Sequence, residues 1–403
     1  PPRYRDGFRS ARLPPQLIAG WAGAIIALTP GARTAMPTSH PPATVIPMMD
    51  RARQYRALRD HLEPALAEAL SAGEYGPGAA VAAFEAEAAQ WLGAEQAVAC
   101  ASGADALRLV LLAAGIGPGD EVVTPAFAAP AAAAAIHHVG ATPAFADIDP
   151  ATLTLEPDAA RATLGPRTRA LLPAHTFGRM ADMEGLVALA REHDLLLLED
   201  ATHAFGARAG STPAGGFGLA GALDLGPESP PGGFGDGGLV ITGSAAVAER
   251  LRQLRSAEAD EVAGWGSHLD ELQAVGLRVQ LARLRVHAEA RRRAARLYHD
   301  LLDEIPGIEP LPEAPRGAHA HQRYAVRTAA RTTVRERLAA AGIASAVDHA
   351  VALHRRPVFA DPAPRLPLPA AEAAGDEILT LPLFPELTKD EIHTIADTLR
   401  ETP

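Results

Sequence analysis

"CASGADALRLVLLAAGIGPGDEVVTPAF", residues 100–127, decides the fold. A short apolar run ends at Cys100, and a Ser-Gly turn follows. Apolar residues then recur at helical spacing to Ala114, and Gly-x-Gly-Pro-Gly-Asp leads into "EVVTP". A strand, a tight turn, a helix and a second strand make one βαβ unit. The turn leaves free backbone N–H groups at the positive end of a helix, a place suited to an anionic ligand. Capping of that helix by Ser102 accounts equally well for the serine taken by itself.

The same alternation extends outward. Helices are predicted over 128–138, 157–163 and 182–192, separated by "TPAFADI", "ALLPA" and "LLLLED". Strands alternating with helices of this length predict an α/β fold, with a mainly parallel central sheet and helices on both faces. Ligands of such sheets lie beyond the carboxyl ends of the strands. That rule brings Ser102, Pro125, His175 and Asp200 to one rim. Upstream, "RARQYRALRDHLEPALAEALSAG" and "AAVAAFEAEAAQWLG" read as amphipathic helices stopping at Gly73 and Gly93. Downstream come "LVIT", a helix from about 245 and a long Arg-rich helix over 267–301. A smaller α+β region follows, with "HQRYAVRT", "TVRERLAAAG" and "KDEIHTIADTLRE". The expected division is 46–290 for a large domain and 291–403 for a small C-terminal one.

Composition narrows the function. A formal charge of −11 over 403 residues offers no basic stripe for nucleic acid. Cys100 is the only cysteine and cannot form an internal disulfide. The apolar run "LIAGWAGAIIAL" (17–28), behind four arginines, looks like a secretory signal but is too short to span a bilayer. Residues 1–45 are read as a leader outside the fold, and the remainder as a cytoplasmic protein with no membrane partner. Lysine occurs once, as Lys389, so a mechanism that needs a lysine has one candidate.

Three constellations suggest ligands. Gly233, Gly235 and Gly238 match GxGxxG, but a strand-like "LVIT" follows where a dinucleotide site needs a helix N-terminus. The pairs His319/His321 and His349/His354 lack a neighbouring acidic cluster, and no metal is expected. "LLLLEDATHAFGA" ends a buried strand in Glu199 and Asp200 with His203 three residues on, a carboxylate placed as the counter-ion of a protonated heterocycle.

In these stretches, and in "VGATPAFADIDPATL", "PAHTFGRMADM", "GDGGLVIT" and "ILTLPLFPELT", the chain resembles the DegT/DnrJ/StrS family of pyridoxal-phosphate-dependent sugar aminotransferases, a branch of fold type I. The resemblance runs from about Ile46 to the C-terminus. It implies a fold-type I PLP-transferase architecture, in which Asp200 would face the pyridine nitrogen and His203 the ring hydroxyl. Ser102 and Gly103 keep the phosphate turn.

The same resemblance marks what has changed. Where the family reads Ser-Phe-Phe-Pro-Thr-Lys, this chain reads Asp224 to Ser229, so Ser229 stands at the Schiff-base lysine and Asp224 at a phosphate-binding serine. A serine hydroxyl forms no imine. At about 4 Å and an effective dielectric near 20, one like-charge pair costs roughly 4 kcal/mol, about a thousandfold in affinity. Ala104 replaces a phosphate-binding threonine and Ala129 the aromatic that stacks on the ring. Gly266 and His268 fall at an asparagine and an arginine that the family supplies from the neighbouring subunit.

These readings point to a family member that has lost pyridoxal phosphate and transamination, expected as a homodimer or as a heterodimer with an active paralogue, in a partner or scaffold role. No cofactor is expected. Two alternatives stand beside it: cofactor-free chemistry on a sugar nucleotide or other small molecule, using His175, Asp200, His203, Asp224 and Ser229 if they converge, and a genuine PLP-dependent sugar aminotransferase.

Overall fold

The computed structural model describes residues 46–73, 75–257, 263–315 and 317–401. The leader expected over residues 1–45 lies outside them. In chain order the elements are α1 (Arg51–Ala72), α2 (Ala79–Leu92), β1 (Gln96–Cys100), α3 (Gly103–Ala113), β2 (Glu121–Pro125), α4 (Pro130–His138), β3 (Thr142–Ala146), α5 (Pro157–Thr163) and β4 (Thr168–Leu171). There follow α6 (Met183–Glu192), β5 (Leu196–Asp200), the short pair β6 (Arg208–Ala209) and β7 (Thr212–Pro213), β8 (Ala220–Asp224), β9 (Gly238–Thr242), α7 (Ala245–Arg255) and α8 (Glu271–Leu302). The C-terminal part holds β10 (Glu309–Pro310), β11 (Tyr324–Arg327), α9 (Arg331–Ala340), α10 (Pro369–Glu377), β12 (Ile378–Leu381) and α11 (Lys389–Arg400).

Seven strands form the main sheet in the order β1-β9-β8-β5-β4-β2-β3. β8, β5, β4, β2 and β3 pair in parallel, whereas β9 runs antiparallel to both neighbours. The mainly parallel sheet agrees with the sequence reading. The exception has a local cause, since residues 225–237 contain no helix to carry a crossover back to the starting edge. The glycines of the GxGxxG match therefore lead into β9.

Alternate residues of each strand feed opposite faces. Ala97 and Ala99 of β1, with Leu239 and Ile241 of β9, join α2, α6 and the first half of α8. Val98, Cys100 and Val240 join α3, α4 and α7. This is the period-two, two-sided burial that a parallel sheet covered by helices demands. Glu271 at the head of α8 ties two elements together, its carboxylate accepting from the N–H groups of Gly78 at 2.9 Å and Ala80 at 2.6 Å. The N-terminus of α2, which lacks a side-chain cap of its own, is satisfied this way.

α8 runs through the 290/291 boundary expected from sequence. Its second half packs Tyr298 and Leu302 against β11, β12 and α11, where the three-stranded sheet β10-β11-β12 lies. Ile46 bridges to Ile343 in this region.

Candidate functional site

The carboxyl ends of β5 and β8 and the N-terminus of α3 meet at a cavity of about 270 Å³. Ala104, Ala129, His203 and Asp224 stand in its wall. So do Phe177, Glu228, Arg323 and His349, which sequence reasoning did not assign to the site.

Asp200 is buried behind this wall. Its Oδ1 accepts from the Thr202 backbone N–H at 3.1 Å and from the Thr202 hydroxyl at 2.6 Å, which fixes the carboxylate at the strand end. His203 stacks on His349 with ring centroids 6.1 Å apart, and His349 stacks in turn on Phe177 at 5.6 Å. Burial pushes the His203 pKa down to about 4, with His349 helping and Asp200 opposing. Burial also brings His349 to about 4. Both rings are neutral near pH 7. His349 has φ +59°, a left-handed backbone that few non-glycine residues adopt.

Asp224 lies against the mouth of α3. A Cβ built on Gly103 would come within 2.7 Å of its Oδ1, so a side chain there would press on the carboxylate. Oδ2 accepts from the Gly226 N–H at 3.0 Å. Burial raises the Asp224 pKa to about 6, with Asp236 and Asp200 adding to the rise, while the N–H groups of Gly226 and Gly103 favour the charged form. The Ser102 hydroxyl accepts from the Asp105 N–H at 3.1 Å as the N-cap of α3.

Of the five groups proposed as acid or base, the cavity brings together His203 and Asp224, with Asp200 behind them. His175 is elsewhere engaged. Its Nδ1 accepts from the Ala181 N–H at 3.2 Å, so Nε2 carries the proton and donates to Glu199 at 3.1 Å. Ser229 is turned in as well, its hydroxyl donating to the Gly226 carbonyl at 2.7 Å. The Gln322 amide donates to the Glu228 carbonyl at 3.2 Å and the Gln280 amide to the Gly232 carbonyl at 2.9 Å. Between these two amides the 228–232 segment is pinned with the Ser229 side chain buried inside it. Glu228 takes the outward place and accepts from Arg323 at 2.5 Å, and Arg323 also faces Asp348 at 3.7 Å. Lys389 is exposed at the start of α11 and is not in the cavity wall.

Glu199 was visible in the sequence only as the neighbour of Asp200. It accepts from the N–H groups of Gly215, Phe217 and Gly218 at 2.6–2.9 Å as well as from His175. A charged residue inside a buried apolar run has to be partnered, and that rule was the available signal. Among the described residues no cluster of His, Cys, Asp and Glu could hold a metal ion, and no helix is long and apolar enough to cross a membrane.

Residues 57–400 match the DegT/DnrJ/EryC1/StrS aminotransferase family. The chain belongs to that family. It is 38% identical over 366 residues to the UDP-N-acetyl-3-dehydro-alpha-D-glucosamine 3-aminotransferase of Acidithiobacillus ferrooxidans, covering 89% of this chain and 98% of that protein. A 38% match to the dTDP-3-amino-3,4,6-trideoxy-alpha-D-glucose transaminase of Streptomyces venezuelae covers 88% and 96%. Among solved structures, S. venezuelae DesV in complex with a ketimine intermediate superposes with a TM-score of 0.85 at 38% identity, covering 89% of this chain and 98% of that one. NtdA of Bacillus subtilis with bound PMP gives 0.82 at 25% identity, covering 89% and 85%. The fold of this chain is thus the fold-type I arrangement of its DegT/DnrJ/EryC1/StrS relatives, and the family is PLP-dependent.

Proposed function

We propose that this family member does not hold pyridoxal phosphate or transaminate, and that it acts as a partner or scaffold subunit, as a homodimer or beside an active paralogue. The observation that carries this reading is the Asp224 carboxylate lodged against Gly103 at the mouth of α3, where the family resemblance locates the cofactor phosphate. A phosphate dianion would have to displace a buried acid from the same N–H groups, or share them with it. Two observations support the reading. Ser229, which the resemblance puts at the lysine position, closes its own turn with its hydroxyl, and the chain's one lysine is exposed on α11. The residues present do not fit the cofactor.

The surviving cavity favours one second reading, cofactor-free binding or chemistry on a small molecule. Neutral His203 and His349 and the acid Asp224 border a space of about 270 Å³, close to the lower end of ordinary ligand pockets, roughly 300 Å³.

Native mass spectrometry of the purified chain, with and without pyridoxal phosphate, tests the proposal. The native protein should retain no cofactor, and S229K alone should gain little because Asp224 still opposes the phosphate. The double variant D224S/S229K should retain cofactor that borohydride fixes covalently. Retention by the unaltered chain would overturn the reading. Co-purification with an active aminotransferase supports the partner role, whereas strict homodimers with no effect on any paralogue would refute it.

A further inference from the structure

A second and larger cavity, about 390 Å³, lies between the 176–179 turn, the second half of α8 and residues 311–315 and 317–325. It shares Phe177 and Arg323 with the cavity described above, but its chemistry is of the opposite kind. Four arginines, Arg179, Arg292, Arg296 and Arg323, face two glutamates, Glu289 and Glu313. Glu289 is engaged with Arg292 at 2.7 Å and Arg296 at 3.6 Å. Arg179 is 8% exposed and donates to the Pro312 carbonyl, a neutral partner for a buried guanidinium.

Two hydroxyls in the same wall have no hydrogen-bond partner. Thr176 is 3% exposed and Tyr324 is 9% exposed, and both oxygens are orphaned. Leaving a buried hydroxyl unpaired costs free energy unless something not drawn from the chain completes it. Phe177, Leu311 and Pro315 supply an apolar flank. His321 in this wall has φ +52°, a left-handed backbone, and strain of this kind gathers at ligand sites. Burial, and after it Arg292, Arg291, Arg296 and Arg179, hold the His321 imidazole down at about 4, and Arg292 and Arg296 share one carboxylate, Glu289.

We propose that this cavity binds a small oxyanion, a phosphate monoester or a carboxylate, carried on a compact apolar body. Arg179 would meet the anion, the Thr176 and Tyr324 hydroxyls would donate to it, and the Phe177–Leu311 flank would cover the body. The proposal does not depend on the fate of the cofactor site.

Isothermal titration of the full chain with phenyl phosphate, benzoate and benzyl alcohol tests it. Phenyl phosphate or benzoate should bind, the tighter of the two identifying the oxyanion, with benzyl alcohol at least about tenfold weaker. R179M should weaken the anion about tenfold or more, and T176V and Y324F about two- to tenfold each. K389M, exposed on α11 and in the wall of neither cavity, should leave binding unchanged. Because T176V and Y324F barely change side-chain size, they keep the test valid if R179M folds poorly. Equal binding of benzyl alcohol, absence of binding by both anions, or indifference to all three variants of this wall would overturn the proposal.

Discussion

The carboxyl ends of β5 and β8 hold their acids differently. At the end formed by β5, the carboxylate pair is held by a full set of donors: Glu199 by three backbone N–H groups and His175, Asp200 by Thr202. At the end formed by β8 and α3, Asp224 is a buried acid raised in pKa, and the following loop hides its serine. One end is a satisfied network that positions backbone, and the other is an acid kept under strain by its surroundings. Removing a member of a network of the first kind strands several buried donors at once, whereas a buried acid with few donors can be replaced at lower cost.

The largest effect should come from breaking the satisfied end. Glu199→Ala strips four donors of their acceptor in a fully buried site and should lower stability by about 3–5 kcal/mol, measured by urea unfolding. A loss below about 1 kcal/mol would mean that the β5 end is no better built than the β8 end, and the contrast would fall.

At the other end the expected effect is smaller and depends on pH. The Asp224 pKa is raised to about 6 from an ordinary 3.8, so between these values the folded chain binds more protons than the unfolded chain. Stability therefore falls as pH rises through that window and levels off above it. Roughly two pKa units correspond to about 2–3 kcal/mol. Buried histidines such as His203 and His349 tilt the curve the other way, since their pKa values are lowered. The difference between the native chain and D224N isolates the acid: the native chain should lose about 2–3 kcal/mol relative to D224N between pH 4 and pH 7. A flat or rising difference would show that Asp224 is at ease in its place.

Much of this was legible beforehand, for reasons tied to particular residues. The βαβ alternation exposed the sheet because each strand must be apolar on both faces and each helix on one. The direction of β9 could have been read from the 225–237 loop, which has no crossover helix. The cavity was less accessible. Asp200, His203 and Asp224 sit at strand ends, where position in the sequence predicts position in space. Arg323, Asp348 and His349 come from beyond α8 and meet them only through tertiary packing. Nor does sequence show which way a side chain turns: Ser229 closes a turn while its neighbour Glu228 takes the outward place.

The smallest predicted effect tests the contrast from outside the cleft. Lys389 is exposed at the first position of α11, where Thr388 and Glu391 already form a reciprocal cap. A cation at a helix N-terminus is mildly unfavourable and contributes nothing to that cap. Lys389→Met should change stability by less than about 0.5 kcal/mol and leave the borohydride-fixed cofactor of D224S/S229K unaltered, as read by intact mass. If instead the native chain yields a fixed adduct that K389M abolishes, an amine from α11 reaches a cleft that holds none of its own. The reading of Ser229 as the end of cofactor binding would then fall.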